Sequence, residues 1–148
     1  MTMDRKQEES EVAKTSLDES RVLSHAVAQI ALRWRLGDEL LGSMLGIPKS
    51  RAERLAAGGF QLARSHEAFR VGQYLVCAFE GLGRLLGDDE TVIAWLNAEN
   101  RDFGARPIDL IRTPSGMKAV AGYVESFLRQ SQAVGSINRS ILIDRKPT

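Results

Sequence analysis

The stretch Glu39-Leu40-Leu41-Gly42-Ser43-Met44-Leu45-Gly46-Ile47-Pro48-Lys49-Ser50-Arg51-Ala52-Glu53-Arg54-Leu55 constrains this chain more than any other. Gly42 is a small residue where two short helices would cross closely. Gly46 stands where the chain must turn through a left-handed conformation. Leu41, Leu45, Ile47, Ala52 and Leu55 then form a shared core, and the spacing is that of a helix-turn-helix. With those five facing inward, the second helix exposes Lys49, Ser50, Arg51 and Arg54 at and after its start. That is the part of a recognition helix that meets base edges, and arginine and lysine suit guanine and phosphate. Arg33 and Arg35, with Arg64, are expected nearby as holders of the nucleic-acid backbone.

The net charge of +1 hides an uneven distribution. Residues 1–20 carry −3, residues 21–64 carry +4, and residues 65–148 balance. Surplus cations concentrated in the helix-turn-helix segment favour a nucleic-acid partner. The competing reading is a plain structural module whose basic residues are a solvated face.

Around this unit the periodicity is helical throughout. Residues 1–20 are acidic, polar and without an apolar stripe, and are expected to form an unstructured tail. Val22, Ala26, Ile30 and Trp34 mark a first helix that ends near Gly37. Asp38 is expected to cap the next, and the helix after Ile47-Pro48 closes at Gly58-Gly59. Phe69, Gly72, Leu75, Val76, Phe79, Leu82 and Leu86 stripe a long helix ending near Gly87. Asp88 caps a helix bearing Val92, Ile93, Trp95 and Leu96, and a loop spans 98–106. After a short turn at 107–111, Thr113-Pro114 opens a last helix striped by Met117, Val120, Val124, Phe127 and Leu128. No strand pattern is long enough for a sheet, although residues 140–143 could extend against a partner. The expected fold is all-α: a helix-turn-helix domain over 21–64, packed on a helical domain over 65–131, with tails at 1–20 and 132–148.

Other chemistry is sparse. No apolar run approaches the ~20 residues of a membrane span, the N-terminus has no secretory core, and one cysteine builds no disulfide framework, so a cytoplasmic protein is expected. His25 and His66 have no Cys or carboxylate at ligand spacing and are expected at the surface or as caps. Cys77, inside Leu75-Val76-Cys77-Ala78-Phe79, is expected to be a buried small hydrophobe. The glycines of residues 81–87 follow a helix where a dinucleotide loop needs a strand. No catalytic residue, metal or cofactor is expected.

The later motifs are Trp95-Leu96-Asn97, then Gly104-Ala105-Arg106-Pro107-Ile108-Asp109-Leu110-Ile111, then Thr113, Gly116 and Val120. A Trp-Leu helix end, a Gly and Arg-Pro loop, a Leu-Ile turn and Thr-x-x-Gly opening a helix resemble the toxin-binding domain of the Xre/MbcA/ParS antitoxins. The resemblance covers roughly residues 68–131, and a helix-turn-helix upstream agrees with the Xre-like domain of that family. It implies a RES-domain toxin partner that consumes NAD, repression of the chain's own operon through operator DNA, and no catalysis by the chain itself. A homodimer with paired recognition helices is the expected reader of a palindromic operator. The acidic N-terminal tail and the long C-terminal tail depart from the family pattern. The alternative is a helix-turn-helix transcriptional regulator without a toxin.

From the residues, Trp95 is expected in the core, Gly104 and Pro107 shape the loop, Thr113 caps a helix and Gly116 allows close packing. Arg106 and Arg112, beside a rigid loop and without a core role, are the candidate partner contacts. The tail from Ile137 to Arg145, with Ile141, Leu142, Ile143, Asp144 and Arg145, either docks onto the toxin or packs on its own domain.

Overall fold

The described residues of the computed structural model, 3–134 for the backbone and 14–131 for side chains, are all helical apart from turns. The helices are α1 (Met3–Arg33), α2 (Asp38–Leu45), α3 (Lys49–Ala56), α4 (Glu67–Leu86), α5 (Asp89–Asn97), α6 (Pro107–Leu110) and α7 (Pro114–Val134).

Most boundaries have a local cause. Gly46 ends α2 with φ 72° and Gly87 ends α4 with φ 98°, conformations a side chain would strain. The Asp88 carboxylate accepts from the Thr91 N–H at 2.8 Å and starts α5. His66 caps α4, its Nδ1 accepting from the Ala68 N–H at 3.0 Å, and Pro107 stands at the start of α6. Asp38 departs from expectation. Gly37 takes the cap position in extended conformation, and Asp38 becomes the first helical residue, where a carboxylate suits the positive end of the helix.

The acidic segment 1–20 is not a loose tail over its described part, because α1 runs through it from Met3. Tertiary contacts hold the helix where periodicity is missing. Ser20 is 5% exposed and its hydroxyl donates to the Leu62 carbonyl, while the Ser24 hydroxyl accepts from the Leu62 N–H at 2.8 Å. Glu19 pairs with Arg64 at 2.9 Å. Once a helix is nucleated, each further residue adds a hydrogen bond at little cost, so such anchors carry the helix N-terminally. Ile30 and Trp34 are buried as expected, but the first half of the inward stripe shifts by one residue: Val22 is 62% exposed, and Leu23 and Val27 face the interior instead.

The helix α4 is the axis of the molecule, packed along α1 and α7 and touching α2 and α5. Two glycines permit this. A Cβ at Gly72 would stand 3.1 Å from Val27, and one at Gly81 would stand 2.5 Å from Val124. The core built on α4 is continuous, from Val27 and Leu41 through Leu62, Leu75 and Leu82 to Trp95, Ile111, Met117 and Val124. It passes without a break across residues 64–65. Cys77, expected inside, is exposed on α4. Its thiol is pushed above the ordinary range by partial burial, and further by Glu80 and Glu125, so it is no activated nucleophile. His25 is exposed.

Candidate functional site

The candidate site residues fall on two surfaces, and the first is built by α2, the turn and α3. A Cβ at Gly42 would lie 2.9 Å from the Ile47 carbonyl oxygen and 3.5 Å from Ala52, so the glycine is needed for the close crossing. Leu41, Leu45, Ile47, Ala52 and Leu55 are all buried beneath it. This packing turns Lys49, Ser50, Arg51 and Arg54 outward, and all four are exposed. None of the three cations has an ion pair among the described residues. Arg51 stands over the Phe60 ring at 5.8 Å, and Arg54 donates to the Gly59 carbonyl at 3.4 Å.

The other arginines of the basic segment are engaged. Arg33 makes a two-point hydrogen-bonded pair with Asp89, at 2.9 and 3.2 Å, and lies over the Phe79 ring at 4.6 Å. Arg35, in the left-handed region at φ 59°, pairs with Glu90 at 3.3 Å. Arg64 pairs with Glu19, and Arg21 with Asp18. These carboxylates lie outside residues 21–64, so much of the local +4 is neutralised in the fold. Through these pairs Arg33 and Arg35 tie the end of α1 to the start of α5, and both side chains stay half or more exposed.

The second surface is the loop and helix start that follow α5. Asn100, 5% exposed, organises the loop. Its backbone N–H donates to the Ala105 carbonyl at 3.0 Å, its carbonyl accepts from Gly104, and its side chain accepts from the Asp102 N–H at 2.8 Å. Gly104 has φ 68°. The loop is held to α7 by a Tyr123 hydroxyl donating to Asp102 at 2.6 Å, and by Phe103 against Tyr123 at 4.6 Å. Trp95 is buried and stacks near Tyr123.

Beyond the loop, the Thr113 hydroxyl accepts from the Gly116 N–H at 3.0 Å and caps α7. A Cβ at Gly116 would fall 1.7 Å from the Leu110 carbonyl oxygen, so only glycine fits. Arg106 and Arg112 are half-exposed here, and both meet Asp109. Arg106 makes a bidentate pair at 2.9 and 3.1 Å, and Arg112 approaches to 3.8 Å. The hydrogen bond from Arg106 holds the Asp109 carboxyl below its ordinary range, and the Asp109 partner raises Arg106. Ser43 of α2 donates to the Arg112 carbonyl at 2.5 Å, and the two surfaces meet there.

The structure thus brings Arg106 and Arg112 together around Asp109, which sequence reasoning passed over along with Asn100, Tyr123 and Ser43. Asn100, with Asp102 and Gly104 close behind it, is a legible turn signal. The contacts of Tyr123 and Ser43 span 21 and 69 residues, and no local pattern carries them. Ile137, Ile141, Leu142, Ile143, Asp144 and Arg145 lie outside the described residues. Among the described residues no helix is long and apolar enough to cross a membrane.

No curated protein matches the chain. Residues 82–127 match the family model of the antitoxin Xre/MbcA/ParS C-terminal toxin-binding domain. That span holds the Trp95 helix end, the Asn100 loop, the Arg106-Pro107 turn and the Thr113-x-x-Gly116 helix start, each with a packing or capping role. Residues 82–127 are therefore similar to the toxin-binding domain of the Xre/MbcA/ParS antitoxins.

Proposed function

We propose that the chain is the antitoxin of a toxin–antitoxin pair in the cytoplasm: α3 binds operator DNA, and the toxin-binding domain holds and silences a RES-type, NAD-consuming toxin. In this reading residues 21–64 are the DNA-binding domain, a helix-turn-helix with α3 as recognition helix. Lys49, Ser50, Arg51 and Arg54 contact base edges and phosphates, and the chain represses its own operon as a homodimer. Residues 65–131 hold the toxin, with Arg106 and Arg112 as contacts and the tail of 132–148 adding Ile141, Ile143, Asp144 and Arg145. The chain itself performs no catalysis.

One observation supports the DNA half most directly: Lys49, Arg51 and Arg54 have no carboxylate partner among the described residues, while Arg21, Arg33, Arg35 and Arg64 are all paired. Glu53 leaves α3 with a surplus of two positive charges, and an exposed surface of that sign attracts phosphate.

Co-expression tests the pairing. A RES-domain protein encoded beside this chain should arrest growth alone, and the chain should restore growth and co-purify with it. Arg106→Ala with Arg112→Ala should weaken rescue, and so should truncation after Ser136. If the chain binds its own promoter but neither rescues growth nor co-purifies, it is a regulator without a toxin.

A further inference from the structure

At its N-terminal end α1 outreaches α4. A Cβ at Gly72 would meet Val27 and Leu23, and Arg33 lies over the Phe79 ring, so the two helices run side by side in the same direction. The helix α4 begins only at Glu67, and Glu19, paired with Arg64, makes the first bond from a described α1 side chain to another element. The backbone of residues 3–18 extends the helix by about 24 Å before that anchor. A helix of this length owes its stability in water to the packing of one face more than to propensity.

A groove of about 620 Å³ runs along the α1–α4 seam at that end. Leu23 and Phe69 lie at its floor, and Val22, Ala26 and Val76 present apolar atoms along it. Val22 is 62% exposed.

Charge points to the occupant. Residues 1–20 carry −3, whereas residues 21–33 hold Arg21 and Arg33 and no acidic residue. A helix with halves of opposite sign complements a second copy of itself laid antiparallel. Arg21 and Arg33 are drawn to Asp18 and Asp89, but Arg70, exposed beside Phe69 and Gln73 at the same groove, has no ion pair among the described residues. One cation at the edge is thus available to the acidic half of another α1.

We propose that this groove is the contact between two copies of the chain. Each lays the acidic half of its α1 antiparallel across the groove of the other, burying Val22 and Ala26 and bringing Arg70 against the partner's acidic segment. Two-fold symmetry makes every such contact twice. The pairing supplies the homodimer that the operator reading above requires. Its test reads mass alone, so its failure leaves operator and toxin binding standing.

The full chain is weighed by sedimentation equilibrium at low and at high salt. A particle of twice 16.3 kDa is expected, dissociating more readily at high salt. Val22→Glu with Ala26→Glu should raise the dissociation constant at least about tenfold, with thermal unfolding still cooperative. Arg70→Glu, on an exposed position, should weaken the pairing and reduce its salt dependence. A monomeric full chain overturns the proposal; if the double variant of that monomer also fails to co-purify with the RES-domain protein, the groove belongs to the toxin. A dimer undiminished by the double variant overturns it as well, because the two copies then meet elsewhere.

Discussion

The exposed face of α3 and the segment 82–127 carry information in opposite ways. On α3 the buried residues could belong to many pairs of short helices, and what points outward is distinctive: cations without an ion pair among the described residues. In segment 82–127 the distinctive residues are scaffold, namely Asn100, Gly104, Thr113 and Gly116, and the outward arginines are already drawn to Asp109. A family pattern can therefore be strong where a contact surface is weakly written. A contact surface can be plain where no family is matched.

Substitutions separate the two cases. The largest effect on stability is expected from Gly116→Ala, whose methyl would overlap the Leu110 carbonyl and force α6 and α7 apart. It should cost about 3 kcal/mol in urea unfolding, at the upper end of the usual overpacking range. A change within 1 kcal/mol would show that the helix start yields easily, and that the glycine is not a steric requirement.

Arg51→Ala and Arg54→Ala are expected to do the reverse, leaving stability nearly unchanged and weakening operator binding by about 1–3 kcal/mol for each lost base contact. Arg35→Ala, which removes only the pair with Glu90, should leave DNA affinity as it was. Equal losses for Arg35 and Arg51 in a binding titration would erase the distinction between paired and unpaired arginines.

These expectations also mark what sequence reading can reach. Asp88, Thr113, Gly46 and Gly87 act through neighbours within a few residues, so their caps and turns were legible. The core stripes of α4 and α7 were legible for the same reason. The extension of α1, the exposure of Val22 and the partners of Arg33 were not. They depend on Leu62 reaching α1 and on Asp89 lying 56 residues from Arg33, distances at which periodicity says nothing. Cys77 sits between apolar residues along the chain yet turns away from the interior, because the inward stripe of α4 passes through Leu75 and Ala78. For the candidate site, local spacing alone turns the cations of α3 outward, whereas Asp109, the hub of the second surface, has no local signature because its value lies in joining two arginines.

Two smaller effects sharpen the second region. Thr113→Ala removes the cap of α7 and should cost about 1 kcal/mol, measured by thermal unfolding. No loss would mean that Pro114 alone starts the helix. The pH dependence is smallest, since Asp109 is fully exposed. Its folded pKa lies below the ordinary carboxylate value, so the contribution of the Arg106 pair is present above that ordinary value. It fades as the pH falls through the lowered one. In Asp109→Asn the acid-side change in stability should shrink slightly. Matching curves for parent and variant would show that the pair is too exposed to matter.

The core that runs unbroken through residues 64–65 has a consequence for how the molecule comes apart. Two domains joined by a linker unfold in two steps, and one half can be lost while the other persists. A single interior gives one cooperative transition. Heat or a protease that opens either end of this chain is expected to dissolve the α3 surface and the segment 82–127 together. Such a protein is present with both surfaces intact, or with neither.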